Sequence, residues 1–417
     1  MSSLYLSNYA VAVALLTACT PGEKPGACEN AAMSCGDAPD DGVCGDAVVG
    51  PGEACDAPGD PGCDDSCHIT NMEAWVVSRD SPDAPGDVYD VAVDAAGQII
   101  VLGASYDLED PELSGAPWLL ALDPAGAELW QVGVPAEVLE GSDVGIDPRV
   151  ALAANGGIYV QSLHLHRFGP KGGLVWQAPM IDGLRTSLAV ADDAVYTAGI
   201  GFGGEDFMAE KIIVQRHDPA TGELVWDRQI ADGEPSGGIA VAVSGGRVFA
   251  LGVPRGEGGR PVVVSLDAAT GAPGPSVFGE GPELWSSLGV LPSGDLVLAG
   301  SSGNDWVVRG LGLDGAVLWN TPLVIPEADG DGSSLLDLAV GPDGTAVVVG
   351  EDGSHEIQKG LVRAVSSAGD VAWTLDYTVE PPASYSRVTA AAFGPGFLVL
   401  VGSDNAVGSW VRRLGPR

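Results

Sequence analysis

From Asn71 onward, hydrophobic and polar positions follow one short grammar that repeats. Val88-Tyr89-Asp90-Val91-Ala92-Val93 alternates as a strand does and stops at the turn Asp94-Ala95-Ala96-Gly97. A second, more continuous apolar run, Ile99 to Gly103, follows it. The same hairpin returns around Asn155-Gly156, Asp192-Asp193, Gly245-Gly246, Pro292-Ser293-Gly294, Pro342-Asp343-Gly344 and Pro395-Gly396. Turns rich in Asn, Asp and Gly between apolar runs are the strongest local signal for a hairpin. A variable loop then leads to a third strand (Trp118 to Leu122, Val262 to Leu266, Trp306 to Leu311), a Gly turn, and a fourth strand that begins at or near a Trp.

The Gly turn and its Trp set the period. Gly stands four residues ahead of Trp in Gly126/Trp130, Gly172/Trp176, Gly222/Trp226, Gly315/Trp319 and Gly369/Trp373, with a degraded copy at Gly271/Pro275. Asn71/Trp75 reads as a further copy, because Asn is the usual stand-in for Gly in a left-handed turn. Repeats about 44 to 55 residues apart belong to propeller blades or similar arrays. Four antiparallel strands per repeat predict an all-β fold, a seven-bladed β-propeller over residues 71–417. The ends predict closure of the ring. Val388 to Phe393, Phe397 to Gly402 and Ser409 to Leu414 lack a fourth strand, and Trp75 to Ser78 is a strand without a blade. Pairing the two removes both exposed edges.

Composition agrees and excludes some functions. Gly at 61 and Pro at 30 suit a turn-rich all-β chain. A net charge of −38 argues against binding nucleic acid, which relies on clustered Lys and Arg, and against adsorption to anionic lipid.

The N-terminal region has a different character. Tyr9 to Ala18 is an apolar run much shorter than the ~20 residues that span a bilayer. It ends at Leu16-Thr17-Ala18-Cys19, which resembles the lipobox of bacterial lipoproteins, although Met1 to Asn8 lacks the usual Lys or Arg. The resemblance implies a signal peptide over 1–18, acylation of Cys19, a lipid-anchored linker over 19–43, and an outer-membrane or cell-surface address. An ordinary secretory cleavage site is the other reading. The remaining cysteines, Cys28, Cys35, Cys44, Cys55, Cys63 and Cys67, form an even set in an exported chain and read as three disulfides of open connectivity. Zinc is the rival reading, but no Cys-x-x-Cys pair is present and only His68 is near. Cys44 to Cys67 resembles the cysteine-rich repeat of myxobacterial surface proteins, which implies a small stapled segment over 44–70.

Asp123 to Trp130 and Asp218 to Trp226 resemble the tryptophan-docking turn of the quinoprotein-type (PQQ-like) propeller family. That resemblance implies that Trp75, Trp130, Trp176, Trp226, Trp319 and Trp373 pack across blade interfaces. It does not extend to the quinone. The family holds it over a disulfide ring, and the chain has no Cys beyond Cys67.

No residue is therefore assigned to catalysis, a cofactor or a metal. Gly199-Ile200-Gly201-Phe202-Gly203-Gly204 fits a dinucleotide fingerprint but lacks a βαβ setting. His164 and His166 share one strand face without a third ligand, and Glu327 to Ser333 lacks the later ligands of a calcium loop. The first functional expectation is a monomeric, non-catalytic surface lipoprotein whose rim binds a protein or glycan, touching the membrane through its anchor alone. Alternatives are a hydrolase or lyase with carboxylates converging at the channel mouth, and an envelope-assembly scaffold. The latter follows from similarity to the propeller lipoprotein of the outer-membrane barrel assembly machinery. Three or more converging carboxylates or histidines would favour the enzyme, and exposed apolar surface on the rim would favour binding.

Overall fold

A computed structural model describes residues 73–78 and 86–415, apart from 106–115, 136–147, 163, 180–182, 192, 203–209, 231–235, 255–260, 279–283, 326–332, 354–357, 378–384 and 406–407. These residues all belong to the second of the chain's two units, Gly42–Arg417. Cys19 and the six cysteines from Cys28 to Cys67 lie outside the described residues, as do most of the long loops.

The described residues form seven four-stranded antiparallel sheets, with strands in sequence order in six of them. The seven sheets are the blades of a β-propeller. In chain order the innermost strands are Gly86–Val93, Arg149–Leu152, Gly183–Ala191, Ser236–Ser244, Leu284–Val290, Ser334–Val340 and Ser386–Gly394. Six of the seven carry a register shift near their start, as between Val88 and Asp90 or between Leu335 and Asp337. One extra residue there bends and twists the strand as it enters the crowded centre.

The alternation of strand residues explains why the second strands are apolar throughout. Ile99 and Val101 join a core shared by the first and last blades. Ile100 and Leu102, on the opposite face, join a core shared by the first and second blades. The other five cores likewise each lie between consecutive blades. No blade can bury its apolar faces by itself, so stability comes from the stacked ring. Each fully buried Val, Leu or Ile contributes about 1.5–3 kcal/mol.

The seventh blade closes the ring as the strand pattern predicts. Glu73–Ser78 pairs antiparallel with Gly408–Leu414, placing Val77 opposite Val411. Hydroxyls fasten the seam on the inner side: Ser409 Oγ donates to the Gly86 carbonyl at 2.6 Å and Thr389 Oγ1 to that of Val88 at 3.0 Å. The fourth blade is the irregular one. Among the described residues its outer strand is Val277–Phe278, in the repeat whose Trp position is Pro275.

Candidate functional site

The turn glycines have positive φ, a conformation glycine adopts without steric cost, and they lie against the preceding blade. A Cβ on Gly172 would come within 2.8 Å of Trp130, one on Gly222 within 2.6 Å of Trp176, one on Gly271 within 2.9 Å of Trp226, and one on Gly369 within 2.7 Å of Trp319. Two indoles also reach across by hydrogen bond. Trp176 Nε1 and Tyr159 Oη both donate to the Pro219 carbonyl at 3.2 Å. One blade on, Trp226 Nε1 and Tyr196 Oη donate to the Ala268 carbonyl at 3.2 and 3.1 Å. Trp373 packs against the core between the sixth and seventh blades. Trp75 enters its strand opposite Arg413, and its side chain lies outside the described residues.

The residue two after Trp130, Trp226 and Trp319 uses the same turn. Val132 lies against Gly172 beside Trp130. Arg228 Nε donates to the Gly271 carbonyl at 2.9 Å, and Thr321 Oγ1 donates to that of Gly369. In the fourth blade Val277 alone keeps the pattern, against Gly315.

The charged cluster is at the centre. Aligning the innermost strands by their hairpins puts Asp90, Arg149, Ser187, Ala240, Ser287, Asp337 and Ala390 at one equivalent position. Three of these reach to the next blade in the same way. Asp90 Oδ2 accepts from the Val150 N–H at 2.7 Å, Ser187 Oγ from Val241 N–H at 3.0 Å, and Asp337 Oδ2 from Ala391 N–H at 3.0 Å. Each acceptor meets the residue just after the equivalent position of its neighbour. Arg149 instead crosses the channel, with Nη1 3.4 Å from Asp337 Oδ1. The channel here opens to a cavity of about 210 Å³ whose lining includes Asp90, Arg149, Ser187, Ser287 and Asp337.

Asp90 is the most perturbed carboxyl among the described residues. Its pKa is pushed up from 3.8 to about 7, chiefly by burial. Asp337 adds to the rise, while the Arg149 guanidinium and the N–H groups of Val150 and Val91 oppose it. A group that titrates near neutrality could serve acid–base chemistry. Here, however, both Asp90 oxygens accept main-chain N–H groups, from Val91 and Val150, and one Asp337 oxygen accepts from Ala391. The arrangement joins blades. It unites two carboxylates rather than three, and a histidine is not among the lining residues.

The other sequence candidates stay apart from this cluster. The rings of His164 and His166 lie 6.1 Å apart in the second blade, and Phe168 stacks on His166. Among the described residues no group of three His, Cys, Asp or Glu side chains gathers as metal ligands do. Gly199 to Phe202, the first part of the dinucleotide pattern, are in the strand Ala194–Phe202, and Gly203 and Gly204 lie outside the described residues.

Apolar side chains are exposed on the outermost strands. Just ahead of the tryptophans, Leu129, Leu174, Val175, Leu224, Val225, Val317, Leu318 and Val371 are 38–53% exposed or, for Val317, 58%. They recur on five of the blades, each along an edge strand.

A family model described as outer membrane protein assembly factor BamB matches residues 210–274, from the third strand of blade three through the degraded turn of blade four. No curated protein matches the chain. Among solved structures, Raptor of Chaetomium thermophilum aligns with a TM-score of 0.56 at 11% identity over 83% of this chain. The alignment spans 29% of the Raptor chain. A protein of unknown function from Bacteroides caccae aligns with a TM-score of 0.42 at 14% identity, over 70% of this chain and 94% of that one. The likeness to Raptor is one of fold.

Proposed function

We propose that this chain is a non-catalytic, lipid-anchored envelope protein that binds a protein partner through the outer edges of its blades. The observation that carries this reading is the recurrence of exposed apolar side chains on outer strands, as in Leu224/Val225 and Val317/Leu318. An edge strand offers unpaired N–H and C=O groups, and apolar neighbours let an extended segment add to it with side-chain contact. Exposed apolar surface of this kind favours a protein over a glycan as partner. Assembly of envelope proteins is the second reading, favoured by the BamB-described match over residues 210–274. The hydrolase or lyase reading loses support because the channel carboxylates accept main-chain hydrogen bonds between blades. The Leu16-Thr17-Ala18-Cys19 sequence supports the anchor.

The test is a photo-crosslinking amino acid at Leu318 of the full chain, expressed in an envelope-bearing host. A discrete protein adduct is expected, lost on Val317→Glu with the melting temperature unchanged. Cys19→Ser is expected to release the protein from membranes and to remove lipid labelling. Adducts with lipid alone, or none from Leu318, Val225 and Leu174, would reject the edge-binding reading. Lipid labelling that persists in Cys19→Ser would reject the anchor.

A further inference from the structure

Each second strand has one residue paired with the channel position, and in six of the seven interfaces it shares an apolar core with a residue of the next blade. Leu102 shares one with Val160, Leu251 with Leu298 and Val349 with Leu400, and the remaining three pairs are likewise Ala or Val. The interface between blades two and three differs. Its two positions are Gln161, the strand partner of Arg149, and Thr197, each wholly buried. Gln161 Nε2 donates to the Ser162 carbonyl at 3.5 Å, but Gln161 Oε1 and Thr197 Oγ1 have no hydrogen-bond partner in the protein. Gln215, the strand partner of Thr197, is buried on the same face and extends the polar strip.

The channel end of this seam lacks the clasp that its neighbours have. Asp90 and Ser187 accept the N–H groups of Val150 and Val241 across the seams on either side. Arg149, at the same position of blade two, has donors alone and crosses the channel toward Asp337. The outer end is pinned, since Trp176 Nε1 and Tyr159 Oη both donate to the Pro219 carbonyl at 3.2 Å.

We propose that the interface between blades two and three is a weak seam of the ring, which parts locally while the other seams stay shut. A buried oxygen without a partner destabilises the closed state and regains hydrogen bonds once water reaches it. The apolar pairs of the other seams gain nothing from water. Parting breaks no strand pairing, because blades two and three each keep their four strands, so it is a local opening that lies below global unfolding. Its effect is to widen the channel beside Arg149. The inference concerns the ring itself and does not rest on the edge-binding reading.

The test compares two buried positions that are equivalent in the repeat. Val195 and Val248 occupy the same second-strand position in blades three and four and are both wholly buried. Val195 faces the seam between blades two and three, and Val248 the seam between blades three and four. Val195→Cys and Val248→Cys, each in the full chain, are labelled with N-ethylmaleimide under native conditions. Labelling is read peptide by peptide in a mass spectrometer, which separates the new thiol from the seven native cysteines. Val195→Cys is expected to label at least about tenfold faster, the shift that one unsatisfied buried oxygen produces. Adding Gln161→Leu should slow it to the rate of Val248→Cys. Equal rates for the two cysteines, or a Val195→Cys rate that Gln161→Leu leaves unchanged, would overturn the proposal. Ordered water that satisfied both oxygens in the closed seam would produce the first of these results. If Val195→Cys fails to fold, Thr197→Cys against Ala250→Cys repeats the comparison two residues on along the same face.

Discussion

Asp90 Oδ2 of the first blade accepts the main-chain N–H of Val150 in the second, 2.7 Å away and 60 residues on in sequence. The contact fastens two blades at the channel, and it does so with a carboxyl that burial has made reluctant to ionise. Stability should therefore depend on pH with a definite sign. The pKa of Asp90 is about 7 in the fold, against 3.8 for an unperturbed aspartate. Between these values the unfolded chain has already lost the proton that the folded chain keeps. Its contribution is fully present below about pH 4 and is lost as pH rises through about 7.

Asp90→Asn cannot ionise, and it retains an oxygen to accept from Val150. We expect urea unfolding at pH 5 to show Asn as the less stable, by about 1 kcal/mol for the hydrogen bond it cannot duplicate. From pH 5 to pH 8 the variant should gain on the parent by a few kcal/mol at most. Arg149 and Asp337 face the same group and remain in both proteins, so the difference isolates Asp90. Parallel stability profiles for the two proteins across that range would show that Asp90 is not the titrating group.

The turn glycines allow the packing of the tryptophans to be separated from backbone strain. Gly222 has φ of +76°, and a Cβ there would sit 2.6 Å from Trp176 Cε3. Gly294 has φ of +89° and nothing within 4 Å of the same added atom. Both Ala substitutions force a left-handed residue, costing roughly 1–2 kcal/mol. Gly222→Ala must also displace the indole, adding about 1–3 kcal/mol of overpacking. Thermal or urea unfolding should rank Gly222→Ala well below Gly294→Ala. Equal losses would mean that the Trp176 contact is slack.

These two sites differ in how far the sequence reveals them. The Gly–Trp kernel is visible because its parts are four residues apart and recur in a period, and the hairpins because Gly, Asn and Asp interrupt apolar runs. Blade closure is visible in the orphan strand at Trp75, which pairs with Gly408–Leu414. The channel cluster was missed because Asp90, Arg149 and Asp337 meet only through the ring, 188 residues separating the last two. Aligning the inner strands by their hairpins was the available signal, and it places all three at one position. The packing of the four tryptophans outside the Gly–Trp kernel has no such spacing to reveal it. Trp118 and Trp410 cover Gly103 and Gly402, their strand partners within a blade, whereas Trp306 crosses to Gly350 of the next. Trp285 lines a cavity between blades four and five, beside Val263 and Val277.

Ring closure gives the broadest test. Deleting 71–79 removes the strand Glu73–Ser78, exposes the edge of Gly408–Leu414, and takes Val77 from the core between blades seven and one. In an open array this would be fraying at an end. In a ring the loss falls on the blade that joins the two ends of the chain, where Ser409 and Thr389 hold blade one by hydroxyl contacts that the paired strand keeps in position. Losing one strand's packing costs several kcal/mol, a large share of the ~5–15 kcal/mol by which domains are stable. The truncated protein should unfold in one cooperative step, at a midpoint lower by more than about 5 °C, and should aggregate through the new edge. Val77→Asp, which keeps the backbone pairing but puts a charge against Val411 and its neighbours, should give a smaller loss of the same kind, on the order of 1–3 kcal/mol. A truncated protein that melts within a degree or two of its parent and stays monomeric would mean that the seam holds without its outer strand, and that the interblade cores alone keep the ring shut.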